Sequence, residues 1–334
     1  MSAVKVIGTG SYLPKRIVTN EEIAPRLDSS PDWIFSHTGI ETRHVAAADE
    51  SASTMGAAAA KAALEMAETA PCEIGMIILA TTTPDYGSYP STACLVQNSL
   101  GCVNAAAFDL SAACSGFMYG LEMAKDWLLN HPSSKAIVIG TEVLSRQVDW
   151  SDRSNAMLFG DGAGAAVLSV EDNCLTRSAW VLGADGSGAL QIEREAGSRH
   201  ALCDDPVLET IREMPVPYLK MDGHAVFAFA VRKLDEVLRE LCGKASVDLA
   251  SVGKIFAHQA NIRIIEAVAR RMKLPMEKFY LHLRQDGNTS SASIPLCLDK
   301  AVREETLKPG YRIAMAGFGS GLTWAGALVH WPYL

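Results

Sequence analysis

The sequence contains no C-x-x-C pair despite eight cysteines, which excludes the common structural zinc frameworks. Cys72, Cys94, Cys102, Cys114, Cys174, Cys203, Cys242 and Cys297 are scattered, several of them in apolar stretches. That usage fits thiols kept reduced in a cytoplasmic compartment, with each cysteine by default a small buried hydrophobe and no metal expected. No apolar run reaches the ~18 residues of a membrane span. The opening MSAVKVIGTG enters a strand with no basic, then apolar, segment before it, so no signal peptide is expected. Positive charge is not in excess. The 30 Lys and Arg against 38 Asp and Glu leave a net charge of −8, which argues against nucleic acid as a partner. Any acidic partner must therefore dock on a local basic patch. Hydrophobic residues make up 49% and charged residues 20%, which excludes a disordered chain, and 334 residues are enough for about two domains.

What is present is a duplication. KVIGTGS (5–11) and WVLGADGSG (180–188) each run an apolar strand into a glycine-rich turn. GMIILATTTP (75–84) matches GKIFAHQAN (253–261), and each is a buried strand that follows an amphipathic helix. AAAFDLSAACSGFMYGLEMAKDWLL (105–129) matches FYLHLRQDGNTSSASIPLCLDKAV (279–302), a strand, a sharp turn and a helix of small residues. Strand pairs close both halves, 136–144 with 162–170 and 312–322 with 324–332. Short β-branched runs alternating with helices mean an α/β fold with buried strands. Two copies imply halves 1–172 and 173–334 about a pseudo-twofold axis, with the site where they meet. The polar stretch 185–220, which holds Cys203, Pro206, Pro215 and Pro217, reads as an inserted loop.

Cys114 lies in D-L-S-A-A-C-S-G-F, after a strand and at the start of a helix near Ser115. Free N–H groups and the helix dipole favour a thiolate there, against the alternative of a buried cysteine among small residues. His258, in A-H-Q-A-N, ends a strand, where ligands bind in open α/β sheets, although a lone histidine is also an ordinary packed or surface residue. Asn288, in D-G-N-T-S-S-A-S-I-P, holds in the second half the place of Cys114 in the first, and is otherwise plain turn chemistry. The loop Gly317-Phe318-Gly319-Ser320-Gly321 can present a backbone N–H to an oxyanion. Gly8-Thr9-Gly10 lacks the third glycine of a dinucleotide fingerprint, and Gly160-Asp161-Gly162-Ala163-Gly164 precedes a strand, so no NAD site is expected.

The segments A-A-C-S-G-F, H-Q-A-N, G-N-T-S-S-A-S-I-P and G-F-G-S-G-L-T-W occur in that order. Together with W-I-x-x-x-T-G-I (33–40) and D-R-x-x-x-x-x-F-G-D-G-A-G-A (152–165), they resemble β-ketoacyl-acyl carrier protein synthase III of the thiolase superfamily, over nearly the whole chain. The resemblance implies a thiolase-like fold of duplicated αβαβα layers, a homodimer, and a catalytic set of Cys114, His258 and Asn288. It further implies an acyl-CoA primer held on Cys114, an oxyanion hole from the N–H groups of Cys114 and Ser320, and malonyl-acyl carrier protein as second substrate. No cofactor is implied. Trp33 and Arg153 match positions that contact CoA, Tyr89 a position that reaches the partner subunit's acyl pocket, and Arg263, Arg270 and Arg271 the patch that docks the carrier.

The chain departs from that pattern in places. His37 stands where the family often has Arg, Ala228 where a docking Lys is common, Ser320 where the oxyanion loop has Gly, and Tyr89 where a Phe is usual. These positions bear on substrate choice. The alternatives are a relative of secondary metabolism that uses another acyl-CoA or malonyl-CoA, a plant-type polyketide synthase, a non-catalytic chain-length factor and a thiol hydrolase. Plant-type chains are longer and carry a G-F-G-P-G loop, and chain-length factors usually lack the Cys.

Overall fold

The computed structural model describes residues 2–87, 89–172, 178–194 and 218–334. Its main strands are β1 (Ala3–Tyr12), β2 (Ile74–Ala80), β3 (Ala106–Leu110), β4 (Lys135–Glu142), β5 (Gly162–Glu171), β6 (Ala179–Ala184), β7 (Lys254–Ala257), β8 (Arg312–Gly319) and β9 (Thr323–His330). Its main helices are α1 (Pro31–Thr38), α2 (Ala52–Met66), α3 (Gly116–Asn130), α4 (Gly223–Ala245), α5 (Ile262–Met272) and α6 (Ser293–Arg303).

One sheet has the order β1-β5-β4-β2-β3, with β4, β2 and β3 parallel and β1 and β5 antiparallel to their neighbours. The other has the order β7-β8-β9-β6, in which β7 and β8 are parallel and β9 is antiparallel to both β8 and β6. Read in sequence, β6, β9, β8 and β7 repeat the directions of β1, β5, β4 and β2. The expected fifth strand near 279 contributes one bridge, Phe279 to Ile255. The chain leaves the ladder because the His282 N–H donates to the Gln259 side chain instead of to a strand.

The layers follow from where each helix buries its apolar stripe. Phe117, Met118 and Leu121 of α3 and Ile294, Cys297 and Leu298 of α6 share one core with Val138 of β4 and Phe256 of β7. These two helices therefore form a central layer between the sheets, where removing their apolar area from water contributes ~25 cal/mol per Å². α2 covers the outer face of the first sheet through Met55, Ala59 and Ala63, alanines that combine high helix propensity with close approach. Its N-cap Ser51 accepts the Thr54 N–H and fixes where it starts. α4 and α5 cover the second sheet through Leu234, Leu238, Ile265 and Val268. The result is αβαβα.

Three expectations need adjustment. The glycine loop after residue 316 is largely strand, because β8 continues to Gly319 and pairs with Thr323 of β9 in a tight hairpin. Among the described residues only Cys102, Cys242 and Cys297 are buried cysteines; Cys114 is half-buried, and Cys72 and Cys94 are exposed. The stretch 185–220 contains ordered pieces: a 3-10 turn at Gly186–Gln191, then Ile192–Glu193 paired with Lys220–Met221. Cys174, Cys203, Pro206, Pro215, Pro217 and the first residue of the second half, Asn173, lie outside the described residues. Among the described residues, no helix is long and apolar enough to cross a membrane, and no group of three His, Cys, Asp or Glu could hold a metal ion.

Candidate active site

Strand β3 ends at Leu110 and the chain reverses through Ser111 and Ala112. Ala113 has φ +46°, a left-handed conformation that costs a non-glycine residue ~1–2 kcal/mol. The turn aims Cys114 into a cavity before α3 begins. Gly319 of β8 lies against this turn, and a Cβ there would come 2.6 Å from the Cys114 nitrogen. Ser115 Oγ donates within the same corner, 2.8 Å from Thr323 Oγ1, and Thr323 Oγ1 in turn lies 3.0 Å from both the Ala112 and Ser320 carbonyls. The hairpin between β8 and β9 is thus bonded to the cysteine turn.

The second half makes a matching turn. Ser290 has φ +49° and opens a 3-10 turn, Ser290–Ala292, that leads into α6, as Ala113–Ser115 leads into α3. The structural counterpart of Cys114 is therefore Ser291. Asn288 sits three residues earlier, in the place of Ser111, which corrects the equivalence expected from sequence. The extra turn of helix at Leu283–Asp286 has no match in the first half and shifts the register. Asn288 is held by its backbone, whose N–H donates to the Leu158 carbonyl at 2.8 Å while its own carbonyl accepts from Gly160 at 3.0 Å. Its Oδ1 accepts the Ser290 N–H at 2.9 Å, which leaves Nδ2 as the donor.

His258 follows β7. Its N–H donates to the Ala316 carbonyl at 2.9 Å, and Phe318 packs edge-on against its ring at 5.2 Å. Nδ1 is 2.7 Å from Ser293 Oγ, which also accepts the Gln259 N–H at 3.5 Å. A hydroxyl oxygen can accept twice, so this contact is compatible with either tautomer; with Ser293 donating to Nδ1, the imidazole hydrogen sits on Nε2.

Cys114, His258 and Asn288 line one cavity of about 450 Å³. Ser290, Phe318, Gly319 and Ser320 line it too, and Leu144, Phe159, Ile192 and Leu219 give it apolar walls. Burial dominates its electrostatics. It pushes the Cys114 thiol up to about 12, helped by the charge of Glu142 and opposed by the Ser290 hydrogen bond. It pushes His258 down to about 3. The helix start was expected to favour a thiolate. Here desolvation outweighs the dipole, so the resting pair is a neutral thiol and a neutral imidazole.

Residues 108–186 match the family described as 3-oxoacyl-[acyl-carrier-protein (ACP)] synthase III, and residues 242–331 match its C-terminal domain. The β-ketoacyl-[acyl-carrier-protein] synthase III of Caldanaerobacter subterraneus subsp. tengcongensis is 41% identical over 329 residues, covering 98% of each chain. The crystal structure of the 3-oxoacyl-[acyl-carrier-protein] synthase III from Aquifex aeolicus, 41% identical, superposes with a TM-score of 0.87 over 98% of this chain and 100% of that one. The chain belongs to the β-ketoacyl-acyl carrier protein synthase III family. It is an acyltransferase of thiolase-like fold, with the synthase III function in fatty-acid synthesis. The priming β-ketosynthase of the R1128 polyketide pathway, 36% identical with a TM-score of 0.88 over 98% of this chain and 96% of that one, has the same fold.

The remaining positions expected from the synthase III pattern are spread outward from the cavity. Trp33 and Arg153 meet each other outside its lining: the guanidinium sits 4.8 Å from the Trp33 ring centroid, and His37 stacks on the Trp33 ring with centroids 4.0 Å apart. Tyr89 is 86% exposed and does not line the cavity of its own chain. Arg263 spends Nε and Nη2 on the Ser36 carbonyl, tying α5 to α1. Arg271 and Arg239 share the buried Asp235, at 2.7 and 2.8 Å, and Arg270 reaches Glu266 at 3.9 Å. The three arginines are therefore exposed, but only Arg270 is loosely held. Sequence reasoning missed Ser290, Ser293 and Glu142. The serines were absorbed into turn chemistry. Glu142 had a signal, a carboxylate ending the apolar run A-I-V-I-G-T.

Proposed function

We propose that the chain performs a two-stage decarboxylative condensation in which Cys114 carries the acyl group of an acyl-CoA primer and malonyl-acyl carrier protein supplies the extending unit. In the first stage Sγ attacks the primer thioester, and the backbone N–H groups of Cys114 and Ser320 hold the oxyanion. In the second, His258 Nε2 and Asn288 Nδ2 donate to the malonyl thioester carbonyl and stabilise the enolate left by departing carbon dioxide. The enolate carbon then attacks the acyl-cysteine and yields the 3-ketoacyl product.

The observation that carries this reading is the donor polarity of the two side chains across the cavity from Cys114. Asn288 Oδ1 accepts the Ser290 N–H, which leaves Nδ2 to donate, and with Ser293 donating to His258 Nδ1 the imidazole presents Nε2–H as the second donor. Two donors without a base suit an enolate better than proton abstraction, and a histidine pushed down to about 3 is a poor base. Trp33 and Arg153 are proposed to take the CoA adenine and phosphates, and Arg263, Arg270 and Arg271 the acidic carrier. Incubation with an acyl-CoA and malonyl-acyl carrier protein, followed by mass analysis of the carrier, should reveal the 3-ketoacyl adduct; free acid without condensation would contradict the reading. A second reading, priming in secondary metabolism, is favoured by the similarity to the R1128 priming synthase and predicts a preference for malonyl-CoA or for a different primer.

The unit proposed is a homodimer. β3 pairs only with β2 among the described residues, so its other edge is open to a symmetric copy. Asp109 of β3 accepts the N–H groups of Thr92 and Ala93, both at 2.7 Å, which anchors the segment carrying Tyr89 beside that edge. This supports Tyr89 reaching the partner subunit's acyl pocket. We further propose that 1–172 and 173–334 are the duplicated units, and that the enzyme works in the cytoplasm, where its exposed thiols stay reduced.

A further inference from the structure

Glu142, at the end of β4, is a carboxyl group with 0% exposure, and among the described residues no ion pair reaches it. Such a group is costly to bury unless donors satisfy it. Its Oε2 accepts from the Thr82 N–H at 3.0 Å, Thr82 Oγ1 at 2.9 Å and Thr83 Oγ1 at 3.0 Å. Its Oε1 accepts from Ser291 Oγ at 2.8 Å and Ser290 Oγ at 3.1 Å. Ser290 Oγ in turn accepts from the Cys114 thiol at 3.2 Å. The three groups form one continuous line of hydrogen bonds: Cys114 Sγ–H to Ser290 Oγ–H to Glu142 Oε1.

We infer that Glu142 is a positioning residue that stores the Cys114 proton, reached through Ser290. The thiol proton passes to Ser290 Oγ as the Ser290 proton passes to Glu142 Oε1. The pair changes from thiol and carboxylate to thiolate and carboxylic acid, and the buried net charge is unchanged. Loss of the proton to solvent would instead leave two negative charges in one desolvated site, which Coulomb repulsion opposes. The thiolate then attacks the primer carbonyl, the carbon–sulfur bond to CoA breaks, and Glu142 returns the proton through Ser290 to the departing CoA thiolate. The titratable groups facing this line are Cys114 and Glu142 themselves and, across the cavity, His258. The other groups on Glu142, from the residues after β2 and from the second turn, are hydroxyls and one backbone N–H.

The inference rests on the acyl-cysteine reading above, and its test does not need acyl-CoA. Iodoacetamide alkylation of Cys114 is followed by mass from about pH 6 to about pH 8 in the wild type, Glu142→Gln, Ser290→Ala and Ser291→Ala. Internal transfer makes the wild-type rate nearly flat with pH. Glu142→Gln and Ser290→Ala break the line, so their rates rise about tenfold per pH unit, and Ser290→Ala, which keeps the Glu142 charge, falls ~10²-fold below wild type near pH 7. Ser291→Ala removes a donor from the same carboxylate outside the line and keeps the flat profile. If Glu142→Gln fails to fold, the contrast between Ser290→Ala and Ser291→Ala decides. A wild-type rate as steep as the variants', or a flat profile kept in Glu142→Gln and lost in His258→Ala, would overturn the inference. Failure of any acyl-CoA to label the wild type would contradict the acyl-cysteine reading and leave this result standing.

Discussion

Gly319 and the backbone of Cys114 are in direct contact: a Cβ on Gly319 would lie 2.6 Å from the Cys114 nitrogen and 2.9 Å from Ala113 Cβ. Both neighbours are part of a turn already strained at Ala113 and bonded to Thr323, so neither can yield cheaply. Gly319→Ala should therefore move the nucleophile. Overpacking of this kind costs ~1–3 kcal/mol, and a misplaced reacting atom ~10²-fold in rate. Gly186→Ala, where no atom lies within 4 Å, is the control and should change neither melting temperature nor acylation. Acylation rates and thermal melts of both variants check the prediction.

His258→Ala and Asn288→Ala should separate the two stages. Both donors are assigned to the enolate, and loss of one such donor costs ~10²–10³ in rate. Malonyl decarboxylation should fall by that amount in each variant, while acylation of Cys114 survives better, most clearly in Asn288→Ala. Release of labelled carbon dioxide and single-turnover acylation read the two stages separately. Blocked acylation with intact decarboxylation in Asn288→Ala would reverse the assignment.

Burial of neutral His258 also makes stability depend on pH. Its ordinary value is 6.5, and burial lowers it to about 3 in the folded chain. Between those values the unfolded chain binds a proton that the folded chain does not. Stability from this group is therefore present above 6.5 and is lost as pH falls through that window. Melting temperatures at pH 7.5 and pH 5 should differ less in His258→Gln than in the wild type. An equal or larger difference would show that His258 is not buried neutral.

The carrier patch has one clean probe. Arg263 also holds the Ser36 carbonyl, and Arg271 shares Asp235, so reversing either charge disturbs local structure. Arg270 is free of such ties, and Arg270→Glu should raise the carrier KM a few-fold at low salt, since exposed pairs contribute ~0.2–1 kcal/mol each. Salt should shrink that difference, because screening acts on exposed charges. Primer acylation should not change. Ala228→Lys, on the exposed side of α4, should lower the carrier KM. A KM indifferent to both substitutions and to salt would remove the patch.

Much of this was legible in the residues because duplication leaves a periodic trace. The order of the buried strands and the central helices 116–130 and 293–303 follow from apolar runs and small-residue segments that recur in both halves. Cys114 and His258 stand at ends of those runs, so their convergence follows from topology. Asn288 lines the cavity but was matched to the wrong partner, since the short helix at Leu283–Asp286 adds residues no apolar pattern marks. The protonation of the site was also not legible. A helix start argues for a thiolate, whereas desolvation depends on walls such as Phe318 and Leu219, which only tertiary packing assembles. The Glu142 line was invisible for the same reason: its members come from the cysteine turn, from the second turn and from the end of β4, far apart in sequence.

The most direct test of the account is intact-protein mass spectrometry of the wild type and Cys114→Ala after incubation with a panel of acyl-CoAs. The wild type should gain one acyl mass from at least one member of the panel, which names the primer, and the adduct should map to Cys114. Cys114→Ala should gain none. An adduct that persists at the wild-type level in Cys114→Ala, or a wild type that no acyl-CoA labels, would contradict an acyl-cysteine at this turn.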